Sequence, residues 1–143
     1  MKLTEHFTLE EMTKRKNLAL DNTPTGEALE NMKRVCWWLE MLREEWNKRY
    51  GDGDDPVIVN SGYRSPAVNK AAGGVATSNH LTGCAVDIRV GGKEQLLRYA
   101  VILLDISDEA QEPFDELLLE EENGKLWLHF AVRPKANRGK IKL

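Results

Sequence analysis

The sequence contains only two cysteines, Cys36 and Cys84, and their separation fits no metal-binding or redox motif. A chain of 143 residues buries enough apolar surface to fold as one domain, residues 1–143, without disulfides or a structural metal. We therefore expect both thiols to be reduced and buried as small hydrophobic side chains. A bound metal ion is expected to serve chemistry rather than stability.

Long apolar runs and an excess of basic residues are also missing. The longest apolar run, Ala100–Leu104, is far shorter than the ~18–20 residues of a membrane-spanning helix. The first residues lack the apolar segment of a secretory signal peptide, so we expect synthesis in the cytoplasm. With 20 basic and 23 acidic residues the net charge is −3, which argues against general nucleic-acid binding. We expect a monomer with no membrane span.

The charges are distributed unevenly along the chain. Residues 105–122 carry nine acidic side chains and no lysine or arginine, whereas residues 133–143 carry five basic side chains and no acidic one. Two solvated faces would explain this pattern, and so would a basic tail that contacts an anionic polymer.

Apolar periodicity and chain-breaking residues predict a mixed architecture. Asn123-Gly124 suits a type I′ turn between two apolar strands, because both turn residues need a positive φ. The fold class that follows is α+β, a small, mostly antiparallel sheet with helices packed on it. The predicted helices cover residues 7–12, about 25–50, 65–73 and 93–104, and the predicted strands cover 57–59, 84–90, 116–120 and 126–130.

Two polar residues stand out within otherwise apolar strands. Asp87 lies in Cys-Ala-Val-Asp-Ile, and His129 lies in Leu-Trp-Leu-His-Phe. A buried carboxylate must be paired, hydrogen-bonded or bound to a metal. Together with His80, which precedes the Asp87 strand, these residues form a donor set that suits a catalytic Zn²⁺ site with one open position. The alternative is a buried His–Asp pair beside an unrelated core histidine.

The predicted hairpin also offers a general base. If Asn123-Gly124 is a two-residue loop, Glu120 faces Trp127 and shares a face of the sheet with His129. Glu120 could then take a proton from a water molecule at the metal, or it could be a solvent-exposed edge residue. The other glutamates of this strand are weaker candidates: Glu121 points to the opposite face, and Glu116 and Glu122 are expected to lie farther from His129.

Arg64 follows the first strand, in Ser61-Gly62-Tyr63-Arg64-Ser65-Pro66. Its guanidinium suits either a local pairing role or the binding of a substrate carboxylate or a developing oxyanion. The residues alone leave these two roles open.

Three blocks of sequence together resemble a known family. They are Ser61-Gly62-Tyr63-Arg64-Ser65-Pro66, then Ser78-x-His80-x-x-Gly83-x-Ala85-x-Asp87, then Trp127-x-His129. Their order and spacing resemble the zinc D-Ala-D-Ala carboxypeptidases, which include VanX-type dipeptidases and phage endolysin peptidases and share their fold with the Hedgehog signalling domain. The likeness extends over nearly the whole chain and points to the small, single-domain branch of the family.

The resemblance implies roles for individual residues. His80, Asp87 and His129 would bind Zn²⁺. Arg64 would polarise the scissile carbonyl or bind the substrate carboxylate, and Ser78 would bind substrate or order the turn that carries His80. Trp127 would line the site, and His6 would be structural. Many family members carry the catalytic acid three residues before the last histidine, where this chain has Leu126. The chain is similar to the branch in which the acid comes from the preceding strand, and Glu120 would be that acid.

The expected function is therefore that of a zinc metallopeptidase that cleaves peptidoglycan stem peptides. The activity that we favour is that of a D,D-carboxypeptidase. Two alternatives remain open at this stage. One is a phage or prophage endolysin-type endopeptidase that cuts stem or cross-link bonds, and the other is a catalytically inactive, zinc-bound module that binds the cell wall. The substrate would be a peptidoglycan peptide, and the site of action would be the bacterial cell wall.

Overall fold

The structure, a computed structural model, describes residues 1–143 and combines four α-helices with one five-stranded sheet. A 3₁₀ helix over Asn79–Thr82 precedes β2. The other elements are α1 (Leu9–Met12), α2 (Gly26–Arg49), β1 (Val59–Ser61), α3 (Pro66–Ala71), β2 (Ala85–Arg89), α4 (Lys93–Ala110), β3 (Glu116–Glu122), β4 (Lys125–Ala131) and β5 (Lys140–Lys142).

The sheet has the strand order β1-β2-β4-β3-β5. The first three pairings are antiparallel, and only β5 runs parallel to its neighbour, β3. This arrangement confirms the predicted α+β class and the mostly antiparallel sheet. Two details differ from the expectation: the first strand is Val59–Ser61 rather than residues 57–59, and β5 was not predicted.

Side-chain hydroxyls begin three of the helices. Thr8, Thr25 and Ser65 each accept a hydrogen bond from the backbone N–H three residues later, which satisfies an otherwise free donor of the first turn. At Thr8 the donor is the backbone N–H of Glu11, at 3.1 Å. Pro66 occupies the first turn of α3, where its missing N–H costs nothing.

The core lies between one face of the sheet and the two long helices. Alternation along β2 directs Val86 and Ile88 into this core and Asp87 to the other face. Both cysteines are buried and free, as expected. The helix–sheet layer therefore fills one side of the sheet and leaves the opposite face to carry polar side chains. The helical contribution to the core comes mainly from Met32, Val35, Leu39 and Leu42 of α2 and from Leu96, Ile102 and Leu103 of α4.

The hairpin between β3 and β4 has the predicted turn. Asn123 and Gly124 have φ values of 52° and 78°, as a type I′ turn requires. Glu120 pairs with Trp127, and Leu118 pairs with His129. The hairpin register predicted from the sequence is therefore confirmed.

The basic C-terminal segment folds back onto the acidic start of β3. Arg133 and Arg138 both form ion pairs with Asp115, which is fully buried. β5 then continues beside β3. Part of the positive charge of residues 133–143 thus neutralises acidic groups of the same chain. Neither long helix has a stretch that is apolar enough to cross a bilayer.

Candidate metal centre and active site

The 3₁₀ helix holds His80 in a defined orientation. Ser78 Oγ accepts a hydrogen bond from the His80 backbone N–H at 3.1 Å. His80 Nδ1 lies 2.6 Å from the carbonyl oxygen of Gly62, and because a carbonyl can only accept, Nδ1 carries the proton. The other ring nitrogen, Nε2, therefore has a free lone pair that can bind a metal ion.

Gly83 ends this helix and turns the chain into β2. Its φ is +73°, and a Cβ at this position would lie 2.5 Å from the carbonyl oxygen of Ala28. Only glycine satisfies both requirements without strain. The close approach of α2 to this turn fixes where β2 begins, and so fixes the position of Asp87.

Asp87 and His129 face each other across β2 and β4. They are register partners, and both point away from the helical core. Asp87 Oδ1 lies 3.1 Å from His129 Nδ1 and 3.3 Å from His80 Nε2. One ligand atom from each of these three buried residues lies within 4.8 Å of the other two.

This donor set fits a zinc ion in chemistry and in spacing. In a tetrahedral site with ligand distances of about 2.0–2.1 Å, neighbouring donor atoms lie about 3.3 Å apart. The two distances from Asp87 Oδ1 match that spacing. Two imidazoles and one carboxylate are typical of catalytic zinc sites, which keep one position for water or substrate. The predicted metal cluster is thus present, and Zn²⁺ is the ion that it suits.

Arg64 binds the second oxygen of Asp87. Its Nη2 donates to Asp87 Oδ2 at 3.2 Å, and its Nε donates to Ser61 Oγ at 3.1 Å. Burial alone would raise the pKa of Asp87, but in the absence of a metal ion its contacts with His129 and His80 outweigh burial and hold that pKa well below its usual range. Asp87 is therefore ionised at neutral pH, as a metal ligand must be.

Two glutamates flank His129 on opposite sides of its ring. Glu120 Oε1 lies 4.0 Å from Nδ1, the nitrogen that faces Asp87, and its side chain is 42% exposed. Glu116 Oε1 lies 3.0 Å from Nε2. In the absence of a metal ion, burial lowers the pKa of His129, but the hydrogen bonds to Asp87 and Glu116 outweigh this effect and raise it to about 9, so an ion at Nδ1 would displace a proton from that nitrogen. Only Glu120 is on the side of the donor cluster.

The expectation that Glu116 lies farther from His129 was therefore wrong. Leu118 is the register partner of His129, so Glu116 and Glu120 are its two diagonal neighbours on the same face. The predicted hairpin register already contained this symmetry. Asn79, which donates to Glu116 Oε1 at 2.7 Å, is a second residue that the sequence analysis missed, and its neighbour His80 was the available signal.

The remaining predicted residues lie around this centre. Ser78 orders the turn that carries His80, one of the two roles expected for it. Trp127 lies two residues before His129 on β4 and is partly buried. His6 lies elsewhere, where its Nδ1 contacts Glu40 of α2 at 2.6 Å, which is a structural contact.

Comparison with known proteins places this centre in a family. The family model described as Peptidase M15 matches residues 5–103. The chain belongs to the peptidase M15 family. The matched segment includes Arg64, His80 and Asp87, and the structure adds His129 from beyond it. The family resemblance inferred from the sequence is confirmed.

A separate comparison with curated proteins finds a partial match to a protein whose name describes an activity. Over 59 residues the chain is 40% identical to a protein described as zinc D-Ala-D-Ala carboxypeptidase from Streptomyces albus G. The alignment covers 41% of this chain and 21% of that protein, so the similarity spans about a fifth of the relative's length.

Proposed function

We propose that this protein is a zinc peptidase that hydrolyses peptidoglycan stem peptides. The bond that we favour as its cleavage site is the D-Ala-D-Ala bond. The observation that carries the proposal is the buried cluster of His80, Asp87 and His129 with a partly exposed carboxylate, Glu120, 4.0 Å from the metal-facing nitrogen of His129. Membership of the peptidase M15 family supports hydrolysis of a peptide. The partial similarity to a zinc D-Ala-D-Ala carboxypeptidase supports the choice of bond.

The three donors would hold the metal ion through His80 Nε2, a carboxylate oxygen of Asp87 and His129 Nδ1. A Zn²⁺ ion bound there supplies Lewis acidity, which brings the pKa of water toward about 7 and polarises a carbonyl group. Glu120 would accept the proton of the attacking water and deliver it to the leaving amine. Its exposure allows the carboxylate to move between these two positions.

Arg64 would bind the substrate beside this centre. Its Nε and Nη2 are engaged by Ser61 and Asp87, which fixes the plane of the guanidinium. Nη1 makes no hydrogen bond within the protein and is left for a substrate oxygen. A guanidinium held in this way suits the oxygen of the scissile carbonyl as negative charge develops on it, or the carboxylate of a C-terminal residue.

The proposal is tested by digestion of purified peptidoglycan with zinc-loaded protein, with products identified by mass spectrometry. Release of free D-Ala identifies a carboxypeptidase, whereas separated cross-links or released stem fragments, without free D-Ala, identify an endopeptidase. His80→Ala is expected to remove the activity, whereas His6→Ala, a histidine variant outside the centre, is expected to retain it.

Intact peptidoglycan after incubation with protein that carries one zinc per chain would contradict the proposed hydrolysis. Co-sedimentation of this protein with the intact polymer would then identify the wall-binding module. The site of action that goes with the proposed substrate is the bacterial cell wall.

A further inference from the structure

The side of the His129 ring that faces away from the metal donors is closed by a polar network. Glu116 Oε1 accepts hydrogen bonds from His129 Nε2 at 3.0 Å and from Asn79 Nδ2 at 2.7 Å. The Glu116 side chain is only 15% exposed. A carboxylate in this position is held by two donors and excludes water from Nε2.

The network continues into the C-terminal segment. Asn79 Nδ2 also donates to Asp115 Oδ2 at 2.8 Å, and Asn79 Oδ1 accepts from Arg133 Nε at 2.9 Å. Arg138 contacts both carboxylates, with Nη2 at 2.8 Å from Asp115 Oδ2 and 3.4 Å from Glu116 Oε2. Asn79 thus connects the turn that carries His80 to the strand pair that carries His129.

We propose that Glu116, supported by Asn79 and Arg138, is a positioning residue that selects the metal-binding tautomer of His129. Because the Glu116 carboxylate accepts a hydrogen bond at Nε2, the ring keeps its proton there and leaves the lone pair of Nδ1 for a metal ion held together with Asp87 and His80. The Gly62 carbonyl does the same for His80 from the opposite ring nitrogen. The two histidines are therefore fixed as opposite tautomers by one acceptor each.

The inference rests on the proposed role of His129 as a metal ligand and does not depend on the substrate. Zinc affinity is the appropriate measure, because removal of a group that orients a metal-bound histidine typically weakens metal binding 10–100-fold. Glu116→Ala is expected to raise the zinc dissociation constant by about that factor. Glu116→Gln is expected to restore most of the affinity, because its amide oxygen can still accept from Nε2–H.

The experiment is competition for zinc between the protein and a chromophoric chelator, with wild type, both Glu116 variants and Glu121→Ala. Glu121 lies on the same strand but is exposed and points to the other face, so its variant is expected to bind zinc like wild type. Equal zinc affinity in Glu116→Ala, Glu121→Ala and wild type would overturn the proposal.

A second measurement needs no variant. Long-range ¹H–¹⁵N spectra of the zinc-loaded wild-type protein are expected to show His129 protonated at Nε2 and His80 protonated at Nδ1. A His129 ring that carries its proton at Nδ1 would overturn the proposal even if the variants fail to fold. These readouts are independent of hydrolysis, so failure of the proposed peptidase activity and failure of this inference give different results.

Discussion

Asp87 and His129 are cross-strand partners whose side chains meet at 3.1 Å on the face of the sheet opposite the helical core. The carboxylate also reaches His80 at 3.3 Å, so one aspartate joins the two histidines before any ion is bound. Rigid strands hold Asp87 and His129, and a capped 3₁₀ turn holds His80. Metal binding therefore requires no rearrangement of the backbone, which is the preorganisation that a catalytic metal site needs.

Glu120→Gln separates hydrolysis from metal binding. The amide keeps the size of the side chain but cannot accept the proton of the attacking water, so we expect kcat on a stem-peptide substrate to fall by about 10²–10⁴-fold. Zinc content is expected to stay at the wild-type level, because Glu120 is not one of the three donors. Full activity in this variant would exclude Glu120 as the general base, and Glu121→Gln provides the comparison on the same strand.

Arg64→Ala is expected to affect both catalysis and metal binding. Loss of a donor to the developing oxyanion typically costs about 10²–10³-fold in kcat. Zinc affinity should also fall, because Asp87 Oδ2 loses its partner at 3.2 Å. Arg64→Lys restores the charge but not the planar fork, and should recover only part of either quantity. Steady-state kinetics and chelator competition measure the two effects, with Arg98→Lys on α4 as control.

The strand residues of the centre were predictable because alternation is a strong rule. Asp87 and His129 are polar residues in apolar strands, so alternation predicts that they point away from the core. The Asn123-Gly124 turn fixes the register that places Glu120 beside His129. The same register placed Glu116 symmetrically. The register alone does not give the orientation of the His129 ring, which brings Nε2 to 3.0 Å from Glu116 and leaves Nδ1 4.0 Å from Glu120.

Other elements left no comparable pattern. The three residues of β5, Lys-Ile-Lys, are all exposed, and this strand depends on parallel pairing with β3 and on the contact between Arg138 and Asp115. α4 was predicted to end near residue 104, yet it continues to Ala110. Here the local pattern does extend further, because buried Ile106 lies three residues after buried Leu103.

Gly83→Ala tests the close approach that positions the His80 turn. A Cβ here would combine a positive φ with a contact of 2.5 Å to the Ala28 carbonyl oxygen. We expect a loss of about 2–3 kcal/mol in the free energy of unfolding, measured by urea denaturation. Gly124→Ala is the matched comparison, because Gly124 also has a positive φ but has open space around it, and it should lose only about 1 kcal/mol. Equal losses would show that the contact is relieved by small movements.

Asp115 gives the fold a defined response to acid. Burial alone would raise the pKa of Asp115, but the hydrogen bonds from Arg138 and Asn79 outweigh this effect and lower it from 3.8 to about 2. A group with a depressed folded-state pKa stabilises the protein above its unfolded pKa and loses that contribution as the pH falls through the folded value. The stability carried by Asp115 is therefore fully present above pH 4 and declines toward pH 2.

Asp115→Asn should remove this dependence. Both proteins are kept metal-free with a chelator at every pH. At pH 6 the variant is expected to have a free energy of unfolding about 2 kcal/mol lower than that of wild type, because one unit of pKa shift corresponds to about 1.36 kcal/mol. The difference should shrink as the pH falls from 4 toward 2, because the wild-type carboxylate then takes up its proton. Urea denaturation at pH 6, 4 and 3 measures it, with Asp108→Asn on the surface of α4 as control. A difference between wild type and Asp115→Asn that stays constant over this range would show that Asp115 acts through hydrogen-bond geometry alone and not through its charge.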